Sequence, residues 1–189
     1  MRVVILVSGG LDSASLVSFA RSEVEVVGLF VDYGQPAAIP EREAARVICP
    51  DLIERTVELD CAAMLDDPSE PGPRVVPGRN LVLLSMGINV ALSHKCSEVW
   101  LGATAGDESE YIDCRGVFAD GVNLVSLLLG IGVRYPFHKL TKAQVLDTGR
   151  QHSADLERTW SCYSPLFEGS TYEPCGGCNA CTERTQEGM

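Results

Sequence analysis

Ser8-Gly9-Gly10-Leu11-Asp12-Ser13 places two glycines, two hydroxyls and a carboxylate between an apolar run and a helical pattern. Glycines let a backbone approach an anion closely. A helix starting there turns unpaired N–H groups and the positive end of its dipole toward that anion. Ser8 and Ser13 add hydroxyl donors, and Asp12 can hold Mg²⁺ against phosphate oxygens. The chemistry that fits is capture of a polyphosphate. No Lys-Ser/Thr pair follows a six-residue loop, so this is not the Walker arrangement. The plain structural alternative is a glycine turn with Asp12 and Ser13 as helix caps.

A second cluster lies near the other end. Cys162, then Cys175-Gly176-Gly177-Cys178-Asn179-Ala180-Cys181, brings four thiols into tight spacing. Zinc takes four soft ligands in a tetrahedron, and glycine-containing turns can wrap three of them around it. An iron–sulfur cluster is the rival, since thiolates hold those too. A closed four-cysteine zinc site leaves no open position for catalysis. The other cysteines, Cys49, Cys61, Cys96 and Cys114, are scattered and read as free thiols of a reducing compartment. His94, His138 and His152 stand apart from any metal partner and are assigned no chemistry.

These groups need a frame. Residues 2–7 are apolar on both faces, as in a buried parallel strand, and Ala14, Leu16, Val17 and Ala20 follow at helical spacing. Residues 24–31 form a second strand-like run that ends in the turn Asp32-Tyr33-Gly34. A helical stretch at 41–48 and a third strand at 52–59 come next. This βαβαβ order predicts an α/β fold, a doubly wound and mostly parallel sheet. Residues 66–77 carry four prolines and read as a surface loop. Asn80 is expected to cap a helix over 81–95, residues 99–102 to form a strand, and 103–115 a polar loop. Further helices are expected over 117–129 and 142–149, the latter capped by Thr141. Residues 1–158 form the nucleotide-binding α/β unit, and 159–189 a zinc-binding C-terminal segment of the same domain.

The chain has 189 residues, and its 26 acidic against 15 basic residues give a net charge of −11. That balance excludes an extended nucleic-acid surface but not a local basic pocket. No segment is long and apolar enough to span a membrane. The N-terminal run is too short for a signal peptide and points to a cytoplasmic protein.

The glycine loop is similar to the PP-loop of ATP pyrophosphatases, which split ATP between its α and β phosphates. More of the chain resembles the 7-cyano-7-deazaguanine (preQ0) synthase family. The shared motifs are Ser8–Ser13, Asp32-Tyr33-Gly34-Gln35, Val76-Pro77-Gly78-Arg79-Asn80, and Asp107 followed by Tyr111-Ile112-Asp113-Cys114-Arg115. Pro136 with Lys142, Thr159-Trp160-Ser161-Cys162-Tyr163 and the cysteine run ending near Arg184 complete them. The resemblance implies an ATP-dependent C–N ligase of queuosine-type biosynthesis. It would adenylate 7-carboxy-7-deazaguanine and convert it with ammonia to the nitrile, using ATP, Mg²⁺ and Zn²⁺, as a homodimer.

By the same resemblance, Ser8, Asp12, Ser13 and Lys142 are catalytic. Val7, Ser8, Gly9, Gly10, Leu11, Asp12, Ser13, Asp32, Arg79 and Asn80 bind ATP. Asp107, Tyr111, Asp113 and Arg115 bind the deazaguanine, where carboxylates suit its adjacent N–H donors and Arg115 its carboxylate. The metal ligands are Cys162, Cys175, Cys178 and Cys181. Three departures stand out: Pro36-Ala37 where the family continues Arg-His, Glu108 where it has an aromatic, and Ile112 where it has proline. They admit a paralogue of antiviral operons that joins the activated acyl group to a protein amine. A PP-loop tRNA sulfurtransferase and a silent ATP-binding module are more distant alternatives.

Overall fold

Five apolar residues in a row, Val3 to Val7, leave no face for water and must be covered on both sides. A computed structural model, describing residues 1–59 and 76–188, puts this segment at the centre of a sheet. The elements run β1 Arg2–Leu6, α1 Leu11–Arg21, β2 Glu25–Asp32, α2 Ala38–Ile48, β3 Ile53–Thr56 and α3 Arg79–Ser93. They continue with β4 Glu98–Trp100, α4 Ala105–Glu110, a 3-10 turn Ile112–Cys114, α5 Gly116–Leu127 and β5 Gly132–Arg134. The chain ends with α6 Lys142–Gln151, the hairpin β6 Leu166–Glu168 and β7 Thr171–Glu173, and α7 Asn179–Gln186.

The strand order is β3-β2-β1-β4-β5, with every pair parallel. Alternation along β1 feeds two cores. Val3, Ile5 and Val7 pack with Leu16 and Val17 of α1 and Val145 and Leu146 of α6. Val4 and Leu6 pack on the other face with Leu84 and Val90 of α3 and Ala119 of α5. The order reverses beside β1, because β2 lies on one flank and β4 on the other. In an open α/β sheet that reversal opens a crevice at the carboxyl ends of the two strands, which is where ligands bind.

Local chemistry departs from the sequence expectation in two places. Residues 103–115 are not a plain loop, because Thr104 and Asp107 form a capping box that starts α4. Asn80 is not a helix cap. Gly78, at φ +71, makes the turn into α3, and Asn80 lies inside the helix, where its backbone N–H donates to Asp113 Oδ2 at 3.1 Å. A carboxylate distant in sequence thus caps the helix. The proline-rich segment expected from 66 lies outside the described residues as far as 75.

α1 and α6 meet at one tight point. A Cβ on Gly149 would fall 2.4 Å from Ser15 Oγ and 3.0 Å from its Cβ, and Ser15 is fully buried with no hydrogen-bond partner among the described residues. Gly149→Ala is therefore expected to destabilise the fold by about 1–3 kcal/mol in urea titrations. In a Ser15→Ala background the cost should shrink, since the nearest obstructing atom is gone. Equal costs in both backgrounds would refute this contact as the cause.

Candidate active site

The strand that ends at Leu6 runs into Val7 and Ser8 at the mouth of the crevice, and α1 starts at once from Gly10. Gly9 turns the chain at φ +85. No other residue fits, because a Cβ there would lie 2.3 Å from the Glu41 carbonyl oxygen. Ser13 Oγ donates to the Gly10 carbonyl at 2.9 Å, and Gly10 N–H donates to Ser8 Oγ at 3.4 Å. Gly10 is the N-cap and makes no side-chain cap bond, so neither Asp12 nor Ser13 is spent capping the helix. The first-turn N–H groups remain available to an anion.

A cavity of about 270 Å³ opens over this loop. Its wall includes Val7, Ser8, Gly10, Leu11, Asp12 and Ser13, and also Arg79, Asn80, Asp107, Tyr111, Asp113 and Lys142. The structure thus gathers residues 7 to 142 of the sequence-predicted set around one space. Three predicted residues stand outside it. Gly9 lies beneath the wall, and Asp32 forms a short ion pair with Arg42 while its Oδ1 accepts the Gly34 N–H. Arg115 is exposed at the head of α5 and does not line the cavity.

Lys142 comes from the start of α6 and reaches Asp12 Oδ1 at 2.9 Å and Oδ2 at 2.7 Å. Glu183 of α7 stands 3.8 Å from the same ammonium. Burial pushes the Asp12 carboxyl above its ordinary range against the pull of Lys142. Burial alone would favour a neutral Lys142 amine, but Asp12 holds the ammonium proton more tightly than usual.

On the far wall, Asp107 Oδ2 accepts the Thr104 N–H and hydroxyl, each at 2.8 Å, and Asp113 holds the head of α3. Arg79 places its guanidinium 5.8 Å from the Tyr33 ring centroid, as a cation over an aromatic face. Cys114 is buried between these groups. Burial, then Asp107 and Asp113, push its thiol up to about 12, so it is protonated at neutral pH and no thiolate nucleophile.

Glu41, which no sequence motif singles out, lines the cavity with Gln35, Trp160, Ser161, Tyr163, Glu183 and Arg184. Trp160, Ser161 and Arg184 had a signal in the C-terminal motifs. Glu41 had none, because nothing in a helical pattern distinguishes a carboxylate aimed inward from a solvated one.

The C-terminal segment is bolted to the phosphate loop. Trp160 N–H donates to the Gly9 carbonyl at 2.9 Å, and Arg184 Nη1 donates to Thr159 Oγ1 at 2.7 Å. Behind α7 the sulfurs of Cys162, Cys175, Cys178 and Cys181 all lie within 4.8 Å of one another. Four thiolates at a Zn–S distance of about 2.3 Å would stand roughly 3.8 Å apart, so this set fits one tetrahedral ion. Without an ion the thiols differ: burial raises Cys181 and pushes Cys162 up to about 12, while at Cys175 burial is outweighed by N–H donors from Gly177 and Cys178, which bring it down to about 7. A bound cation would favour the thiolate at all four.

A parallel five-stranded sheet with the Ser8–Ser13 glycine loop at its reversal point gives this chain an α/β fold of the PP-loop type. Solved structures share the fold. The U34-tRNA thiolase NcsA of Methanococcus maripaludis, with its 4Fe–4S cluster, superposes with a TM-score of 0.55 at 17% identity, over 88% of this chain and 61% of that one. A predicted subunit of tRNA methyltransferase from Methanocaldococcus jannaschii gives 0.51 at 17% identity, over 79% and 74%. Residues 2–188 match the family described as Queuosine biosynthesis protein QueC, and the chain belongs to that family. Among its relatives, 7-cyano-7-deazaguanine synthase 1 of Colwellia psychrerythraea is 30% identical over 98% of this chain and 92% of its own. The 7-cyano-7-deazaguanine synthase of Hahella chejuensis is 32% identical over 98% and 87%.

Elemental analysis is expected to find about one zinc per chain, held by the four cysteines. Chelation, or Cys178→Ser, should lower the melting temperature by roughly 5–10 °C. It should also weaken binding of a non-hydrolysable ATP analogue, because α7 and Trp160 brace the loop. Iron with visible absorbance in place of zinc would overturn the assignment.

Proposed function

We propose that this protein makes 7-cyano-7-deazaguanine from 7-carboxy-7-deazaguanine, ammonia and ATP in the queuosine pathway of the cytosol. The carrying observation is that the phosphate loop and the carboxylates Asp107 and Asp113 open into one cavity at the sheet's reversal point. A carboxylate is a poor acyl donor, and transfer of AMP to it creates a mixed anhydride with a good leaving group. Ser8, Gly10, Ser13 and the first turn of α1 cradle the phosphates. Asp12 is the residue that would hold Mg²⁺, which would offset phosphate charge, and Lys142 stabilises the charge that builds on the departing pyrophosphate. Asp107, Tyr111 and Asp113 receive the deazaguanine, whose adjacent N–H groups match carboxylate acceptors. Ammonia converts the adenylate to an amide, and a second activation expels the amide oxygen to leave the nitrile.

With 7-carboxy-7-deazaguanine, MgATP and ammonium, the protein should release AMP and yield a nitrile by mass spectrometry. Lys142→Ala is expected to lower kcat by about 10²–10³ with a smaller effect on KM. AMP without nitrile would assign the acyl group to another acceptor, such as a protein amine. No AMP would refute the adenylation reading.

The chain also pairs with a second copy, in this reading through the outer face of α5. Leu124 and Val125 there, and Leu128 at its C-terminal cap, are 71, 66 and 86% exposed, beside an apolar groove shared with Leu81 and Ile88 of α3. Exposed apolar area of this kind marks an interface. Sedimentation should give a dimer that Leu124→Glu with Leu128→Glu converts to monomers of unchanged melting temperature. A monomeric parent protein would refute the pairing.

A further inference from the structure

Forming an amide from ammonium requires that a proton leave nitrogen before its lone pair can attack. Six described carboxyl side chains reach the cavity, and most are committed. Asp12 is bound by Lys142, Asp107 by Thr104, and Asp113 by the head of α3. Glu183 leans to Lys142 and is more than half exposed, and Glu187 stands at the end of α7. None of the three histidines lines the cavity. Pro36 and Ala37 line it where neither can accept a proton.

Glu41 differs from the others. Its main chain lies against Gly9, so its side chain shares the cavity beside the phosphate loop. An acyl carbon bound to AMP is one bridging oxygen from the α phosphate, and must therefore sit close to that loop. Glu41 Oε2 accepts a hydrogen bond from Gln35 Nε2 at 2.9 Å, while Gln35 Oε1 accepts the Tyr33 N–H at 2.9 Å and so fixes which way the amide points. A neutral amide orients the carboxyl without locking it as the anion of an ion pair. Arg79 from α3 and Asp32 from β2 face it with opposite effects. Burial pushes its pKa up to about 7, where a general base can both take and give up a proton.

We propose that Glu41 is the general base of amide formation, removing a proton from ammonium beside the acyl adenylate. This deepens the adenylation reading and rests on it. The Glu41 carboxylate takes one proton, and the freed ammonia attacks the acyl carbon. The bond from that carbon to the AMP oxygen breaks, with its electron pair kept by AMP. The new nitrogen loses a second proton to water, and Glu41 later releases its own. No electrons are exchanged with any redox partner.

Glu41→Gln keeps the shape and the bond to Gln35, and separates the steps. Acid-dependent ATP–pyrophosphate exchange should fall by no more than about threefold, while amide formation from ammonium falls by about 100-fold. Hydroxylamine, already uncharged at neutral pH, should still form the hydroxamate within about threefold of the parent rate. Equal losses with both nucleophiles would overturn the proposal. A comparable loss of exchange would do the same, by assigning Glu41 to the nucleotide. No exchange in the parent protein would instead refute adenylation itself.

A second readout needs no substrate. A carboxyl whose pKa rises on folding from 4.5 to about 7 retains its proton in the fold while the unfolded chain loses it. Its stabilisation is complete below 4.5 and is lost as pH rises toward 7. The parent melting temperature should therefore fall more than that of Glu41→Gln across this window. Parallel profiles would show an ordinary carboxylate and overturn the assignment.

Discussion

Three parts of the chain meet at the backbone of Gly9. Its left-handed turn aims the first turn of α1 into the crevice, the Glu41 carbonyl fills the space a side chain would need, and Trp160 donates to its carbonyl. Backbone groups rather than side chains make this junction, so it is stiff and leaves the serine hydroxyls and N–H groups for a ligand. Everything else around the cavity is placed relative to it.

The electrostatics follow from that placement. Most ionisable groups on this wall are acidic. Lys142 offsets one carboxylate directly, and Arg79 faces the others from α3. The remainder are held by hydrogen-bond donors: the Thr104 N–H and hydroxyl on Asp107, the Asn80 N–H on Asp113, the Gln35 amide on Glu41. Donors of this kind cost no counter-charge. In the proposed reaction they leave one wall to recognise N–H groups and the opposite wall to bind phosphate.

The cysteine cluster acts at a distance. Four sulfurs close enough for one ion hold α7, Arg184 ties α7 to residues 156–161, and Trp160 passes the constraint to Gly9. A segment with few buried apolar residues cannot fix its own position by packing, and an ion at these four sulfurs would do that work without a core. The clasp thereby gives the cavity a fourth wall that the sheet and its helices do not supply.

Much of this was legible in the residues themselves. The doubly wound sheet could be read from apolar runs alternating with helical spacing, because burial on two faces leaves that pattern whatever the rest of the chain does. The phosphate loop and the cysteine set were legible because glycines at a strand end and thiols at three-residue steps are local signatures. The tertiary structure alone decided which distant groups share the cavity. It paired Lys142 with Asp12, made Asp113 rather than Asn80 the cap of α3, left Arg115 outside, and turned Glu41 inward over Gly9. Each of these depends on packing between elements far apart in the chain. A single residue's type carries no record of what will stand opposite it, so Gly9 was recognisable from the sequence while the inward turn of Glu41 was not.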